Sequence, residues 1–130
     1  LNVVADQHGA PTGAELLADV TALALHRIAA PGTDAQHLSG VYHLAAAGST
    51  TWHAYAQHVL AQAQSHGAEL KAGPDAVQPI AASAFPTPAA RPANSRLDCS
   101  KFSASFGVHL PDWRHHVNRL IAELSAQGNL

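Results

Sequence analysis

The chain has 130 residues, no methionine, one cysteine, ten histidines, and seven Lys+Arg against nine Asp+Glu for a net charge of −2; 47% of it is hydrophobic and 12% charged. Its basic residues are scattered from Arg27 to Arg119 and form no stripe that could neutralise a run of phosphates, which argues against nucleic-acid binding. No apolar run approaches the ~20 residues of a membrane span, no export signal opens the chain, and one cysteine cannot form an internal disulfide, so a soluble, cytoplasmic polypeptide is expected. At this length a compact domain buries roughly two thirds of its unfolded surface. A chain that opens on Leu1 without a methionine is expected to be processed or a piece of a longer protein.

Leu1 to Ala5 reads as a short strand running into a cluster of turn formers, Asp6 to Pro11. Thr12 precedes Glu15 by three residues, the spacing of a capping box, so a helix should begin near Gly13. That helix carries Leu16, Leu17, Val20, Leu23, Ala24 and Ile28, a band wide enough to suggest burial on more than one side, and Pro31-Gly32 closes it. Gly40 to Ala45 reads as a second strand, stopped at Gly48, and Ser49-Thr50-Thr51 offers helix caps. Trp52, Tyr55, Ala56, Val59, Leu60 and Ala63 then fall on one face of a helix that ends by Gly67.

Five prolines between Ala68 and Pro92 rule out a helix there and leave extended chain, with a short strand around Val77–Ala81. Asp98 or Ser100 caps a short helix, Lys101 to Phe106, and Gly107 suits its left-handed end. Pro111-Asp112 starts a last helix striped by Trp113, Val117, Leu120, Ile121 and Leu124. The expected order is β, α, β, α, extended, α, α.

Ten histidines invite a metal site, but His53 and His58 lie on different helix faces and the adjacent His115 and His116 should point apart, so no ligand set of zinc spacing forms. Cys99 follows Asp98 at a helix start, where it is a cap-region residue as readily as a thiol nucleophile. No Gly-x-Ser-x-Gly, Gly-x-Gly-x-x-Gly or Walker sequence occurs. Two polar loops remain. Asp6 to Thr12 sets a carboxylate, an amide and an imidazole before a helix N-terminus, whose free amides attract anions; a tight strand-to-helix connection needs the same Gly9, Pro11 and Thr12. Ala90 to Asp98 flanks Asn94-Ser95 with Arg91 and Arg96, which suits phosphate recognition or a surface pair with a carboxylate such as Asp98.

These loops also carry a family resemblance. Val3 to Asp19, Gly40 to Leu44, Pro86 to Asp98 and Leu110 to Trp113 resemble, in order and spacing, the C-terminal part of dTDP-4-dehydrorhamnose reductases, which are extended short-chain dehydrogenases/reductases. His8 departs from the pattern, where a Phe is expected. The resemblance implies an α/β fold: the C-terminal part of an extended short-chain dehydrogenase/reductase, mostly helical with a few short strands and lacking most of the Rossmann domain. Residues 1–130 would form the substrate-binding region, with helix 14–29 and strand 41–45 belonging to the packing of the absent cofactor domain.

The implied activity is reduction of dTDP-4-dehydro-L-rhamnose to dTDP-L-rhamnose by NADPH or NADH. Alternatives are an extended reductase or epimerase for another sugar nucleotide, or a non-catalytic regulatory or interaction module of the same fold. The cofactor loop and the catalytic Tyr-x-x-x-Lys lie upstream in this family. Tyr42 and Tyr55 have Ala46 and Val59 four residues on, so no catalytic or cofactor-binding residue is expected within the chain. Gln7, Gly9, Pro11 and Thr12 would shape the sugar-nucleotide cleft, and Arg91, Asn94 and Ser95 would contact the diphosphate or nucleoside. Because some members are dimers with a divalent metal at the interface, Glu15 and Glu123 would be intersubunit ligands for Mg2+, and a homo-oligomer is expected. Stripped of its cofactor domain, such a chain should expose apolar surface and self-associate.

Overall fold

A computed structural model describes all 130 residues. The chain runs β1 (Asn2–Val4), β2 (His8–Gly9), α1 (Ala14–Ala29), β3 (Thr50–Thr51), α2 (Trp52–Ser65), β4 (Gln78–Ile80), α3 (Ser100–Phe106) and α4 (Trp113–Ala126), with single 3-10 turns at Pro74–Ala76 and Ala82–Ala84. β1 and β4 pair in parallel, Asn2 opposite Gln78 and Val4 opposite Ile80, while β2 and β3 pair antiparallel, His8 opposite Thr51. Parallel pairing requires a crossover, and α2, which lies between the two strands in sequence, packs against β1. Pro79 fits β4 because a strand with a single neighbour can spare an amide.

The helix ends follow local chemistry. Thr51 caps α2, its hydroxyl accepting the Ala54 amide at 3.1 Å, and Asp112 caps α4 by accepting the Arg114 amide at 3.0 Å. Gly107 closes α3 in the left-handed conformation, φ +67°. At the start of α3 the cap position falls on Cys99, and the Asp98 carboxylate accepts the Ser100 amide at 2.9 Å. That bond, with help from the Ser100 side chain and the His43 charge, holds the Asp98 carboxyl below the ordinary range.

Three sequence expectations are corrected. Thr12 and Glu15 form no capping box: Gly13 occupies the cap position, the Thr12 hydroxyl bonds elsewhere, and Glu15 turns to Arg119. The strand expected over Gly40 to Ala45 does not form, because no other segment of the chain pairs with those residues; Val41 is 82% exposed. The rings of His115 and His116 do not point apart but pack edge to face with centroids 4.9 Å apart.

The core gathers Leu16, Val20 and Ala24 of α1 with Ala46, Phe102, Trp113 and Val117. Trp113, at 1% exposure the most buried side chain, has Tyr55 and His58 of α2 against its ring at 5.9 and 5.1 Å. His58 Nε2 lies 2.6 Å from Asn118 Oδ1, tying α2 to α4, and His53 Nε2 lies 3.0 Å from the Val77 carbonyl, tying α2 to the segment before β4.

This core is small for the chain. The accessible surface is 8438 Å2, against roughly 6,500 Å2 for a compact monomer of this mass, so the two-thirds burial expected from length is not reached. The excess includes both flanks of the buried line of α1: Leu16, Val20 and Ala24 are buried, while Leu17 and Leu25 on one flank and Leu23 on the other are exposed. The wide apolar band is therefore covered along one line only. No helix is long and apolar enough to cross a membrane.

Candidate functional site

The two loops singled out in the sequence are joined by backbone. The His8 amide donates to the Ala93 carbonyl at 2.8 Å, and the His8 carbonyl accepts both the Ser95 amide at 2.9 Å and the Ser95 hydroxyl at 3.1 Å. Gly9 permits this approach: a Cβ there would lie 2.9 Å from Ser95 Oγ, closer than side chains tolerate. On its other edge β2 is held by β3, so the loop is fixed between Thr50–Thr51 and residues 93–95. The Thr12 hydroxyl donates to the Ala10 carbonyl at 2.9 Å and accepts the Ala46 amide at 3.1 Å, anchoring the end of the loop to the core.

A cleft of about 1120 Å3 opens beside this seam, close to the upper end of small-ligand sites. Gln7, Gly9 and Pro11 form one part of its lining, and Arg91 and Ser95 another. The Asp6 carboxylate accepts the Ala82 amide with both oxygens, at 2.9 and 3.1 Å, and so holds the 82–84 turn whose continuation, Phe85 to Thr87, also lines the cleft. No Asp or Glu lines the cleft. Arg91 is its one permanent cation and has no hydrogen bond or ion pair; the ion pairs of the structure are those of Arg114 with Asp112 and of Arg119 with Glu15 and Glu123. An unpaired guanidinium in a cleft free of carboxylates suits an anion that takes a fork of N–H donors, as a phosphate does.

Two of the expected residues stand back from the lining. Thr12 positions the loop, and Asn94 turns its carbonyl to Arg96, accepting the backbone amide at 3.1 Å and Nε at 2.9 Å. Arg96 is thus engaged locally and makes no pair with Asp98. Tyr42 is structural, its hydroxyl donating to the Leu38 carbonyl at 2.9 Å and its ring packed edge-on to Phe102 and Phe106.

Sequence reasoning missed Trp52 and Phe85. Trp52 falls on the helical stripe with Tyr55 and Val59; as the first residue of α2 it lies at the cleft and is 58% exposed. Phe85 sits among prolines without any periodicity to place it. The usable signal was composition: in a chain only 5% aromatic, a ring without a core partner stands out.

Glu15 and Glu123 are brought together, but by an arginine. Arg119 donates Nη2 to Glu15 at 3.0 Å and Nε to Glu123 at 2.9 Å, and these bonds, Glu123 foremost, raise the guanidinium pKa. Two carboxylates already sharing a cation fall short of the six oxygens Mg2+ demands, and no cluster of three or more His, Cys, Asp or Glu that could hold a metal occurs in the chain. The donors of one chain do not fit the ion. Cys99 lies outside the cleft, its thiol directed at the Ala45 and Leu97 carbonyls at 3.8 and 3.9 Å.

The chain matches the family model described as the RmlD substrate binding domain over residues 1–126. It is 48% identical to the dTDP-4-dehydrorhamnose reductase of Shigella flexneri over 124 residues, 95% of this chain and 40% of that protein, and 46% identical to the Salmonella typhimurium reductase over the same shares. A Streptomyces antibioticus protein, a probable dTDP-4,6-dihydroxy-2-methyloxan-3-one 4-ketoreductase, is 35% identical over 97% of this chain and 38% of its own length. Among solved structures, the dTDP-4-dehydrorhamnose reductase of Bacillus anthracis in complex with NADP superposes with a TM-score of 0.75 at 26% identity, covering 95% of this chain and 38% of that one. The Clostridium acetobutylicum reductase gives 0.74 at 26% identity with the same coverage. The chain therefore spans about 40% of the length of the relatives it matches.

Proposed function

Since the chain belongs to the RmlD substrate-binding-domain family, we propose that it forms the substrate-binding region of an NAD(P)H-dependent reductase that converts dTDP-4-dehydro-L-rhamnose to dTDP-L-rhamnose in the cytoplasm. The observation that carries this reading is the cleft at the seam of the two loops, with an unpaired Arg91 and no carboxylate in its lining. Arg91 takes the diphosphate. Gln7 and the Ser95 hydroxyl supply polar contacts, while Gly9, Pro11 and Thr12 set the loop, and Asn94 acts through the turn it holds. NADPH or NADH, bound outside this chain, would supply the hydride that reduces the ketone. No side chain within the 130 residues serves as proton donor in this scheme, and the isolated chain has no reductase activity.

The exposed side of α1, with Leu17 and Leu25, and the unpaired segment 41–45 dock against the cofactor domain. The surface in excess of a compact monomer, about 1,900 Å2, supports this assignment, because it leaves room for an interface of the roughly 600–1,500 Å2 usual between domains of one chain. The isolated chain covers the same surface by self-association; a monodisperse monomer in light scattering at high concentration contradicts this. A shared Mg2+ site in a homo-oligomer would require Glu15 and Glu123 to leave Arg119 and a second copy to add oxygens.

A second reading, 4-ketoreduction of a different dTDP-deoxysugar, draws on the likeness to the Streptomyces antibioticus protein. A panel of 4-ketosugar nucleotides offered with NADPH and NADH to the full-length protein decides between them. Preference for dTDP-4-dehydro-L-rhamnose supports the first reading, and preference for another dTDP-ketosugar the second. Turnover of none of them contradicts both and favours a non-catalytic module.

A further inference from the structure

We infer that Trp52 and Phe85 are ligand-binding residues, a pair of ring surfaces that hold the cyclic part of a nucleotide sugar while Arg91 holds its diphosphate. The inference rests on the function proposed above and adds two residues to it.

The chain has seven Trp, Tyr and Phe residues. Five of them, Tyr42, Tyr55, Phe102, Phe106 and Trp113, belong to the core or pack against it. Trp52 and Phe85 do not: they are 58% and 60% exposed, and both line the cleft. Leaving two large aromatic faces in water forgoes the burial for which such residues are ordinarily used. Their concentration in one cleft is what a site for ring-shaped ligands requires.

The Trp52 ring is supported from behind, and the backbone that carries Phe85 is anchored. Trp52 stands edge-on to Tyr55 at 6.2 Å and 82°, and Tyr55 rests on the fully buried Trp113 at 5.9 Å. The indole is thereby supported on a row of rings leading into the core. Its backbone is set by the Thr51 cap. Phe85 follows the 82–84 turn, which both oxygens of Asp6 hold in place. Phe85 shares its proline-rich segment with Arg91, whereas Trp52 comes from α2, so the two ring surfaces enter the cleft from different elements.

A diphosphate alone would need only the cation. A nucleotide sugar brings three rings, a planar base, a pentose and a hexose with an apolar face, and an exposed indole or phenyl can stack on the base or on the hexose. Stacking of a base on an aromatic side chain changes affinity by roughly 5- to 150-fold on truncation.

The test is titration calorimetry on the full-length protein with dTDP and with dTDP-L-rhamnose, using inorganic pyrophosphate as a competitor that has the anion and no ring. Trp52→Leu and Phe85→Leu are compared with wild type. Trp52→Phe is the conservative variant, and thermal unfolding verifies that each is folded. We expect the leucine variants to bind dTDP-L-rhamnose roughly 5- to 150-fold more weakly, with pyrophosphate competition unchanged and Trp52→Phe close to wild type. An equal loss for dTDP assigns the rings to the base, and a loss confined to dTDP-L-rhamnose assigns them to the hexose; both outcomes support the inference. Leucine variants that bind both nucleotides as wild type does, or that lose pyrophosphate in equal measure, overturn it and leave the proposed function standing. A wild-type protein that binds neither nucleotide overturns both.

Discussion

Replacing Gly48 with alanine tests how the start of α4 is fastened to the segment that precedes β3. Gly48 has φ +79°, which an L side chain adopts at a cost of about 1–2 kcal/mol. A Cβ there would also stand 2.6 Å from Asp112 Oδ2 and 3.3 Å from Trp113 Cδ1. The carboxylate can move, but it is the cap of α4, and turning it away forfeits about 0.5–2 kcal/mol. Its exposed pair with Arg114 adds little. The neighbouring backbone cannot follow freely, because the Ala47 amide donates to the Pro111 carbonyl at 2.8 Å and the Trp113 amide to the Ala47 carbonyl at 3.0 Å. Gly48→Ala should therefore lower stability by about 1.5–4 kcal/mol, a large share of what a domain of this size has. Equilibrium urea unfolding followed by far-UV circular dichroism reads this as a lower midpoint at unchanged slope. Asp112→Ala removes the cap in advance, so on that background the Gly48 substitution should cost only the backbone strain, about 1–2 kcal/mol. A Gly48→Ala protein within about 0.5 kcal/mol of wild type, or an equal cost on both backgrounds, would refute the reasoning.

Two further outcomes follow from the same kind of geometry. Gly9 lies outside the left-handed region and meets only Ser95 Oγ within 4 Å of a built Cβ; Gly9→Ala should force the hydroxyl off the His8 carbonyl at a cost of about 1 kcal/mol. On a Ser95→Ala background the same change should be neutral or stabilising by up to about 1 kcal/mol, so equal effects in a double-mutant cycle contradict the contact. The lowered pKa of Asp98 means that its folded form binds a proton less readily than its unfolded form. Its contribution is then complete above about pH 4 and fades as pH falls through the lowered value. Asp98→Asn should flatten that acid limb by lowering stability at neutral pH while leaving the acid end little changed, whereas an unaltered limb removes Asp98 as its source.

Where a local rule acts alone, the sequence was legible. Gly107 at a helix end, Asp112 at a helix start and the prolines between Ala68 and Pro92 each dictate backbone geometry within a few residues, and α3, α4 and β4 lie within a residue or two of where those signals put them. The loops at Asp6–Thr12 and Ala90–Asp98 were visible as polar insertions, but that they share a backbone seam depends on Gly9 and on pairing across some 85 residues. Thr12 shows the limit of a local motif: a capping box and an anchor to the Ala46 amide use the same hydroxyl, and the tertiary bond won. Segment 41–45 has strand composition, yet a strand needs a neighbour that this chain does not supply. Trp52 obeys the helical period, but the period fixes a direction and not whether anything lies in that direction. Glu15 and Glu123 were singled out as ligands shared between subunits; within one chain both bond to Arg119, a contact that no local pattern in the sequence announces.

The central claim, that the cleft binds a nucleotide diphosphate sugar through Arg91, is tested most directly by the dissociation constant of dTDP-L-rhamnose for the full-length protein and for its Arg91→Ala variant. Loss of a charge-assisted hydrogen bond to the diphosphate should weaken binding by roughly 10- to 150-fold, with Arg91→Lys intermediate and the thermal midpoint unchanged. Equal affinity of wild type and Arg91→Ala would contradict the account.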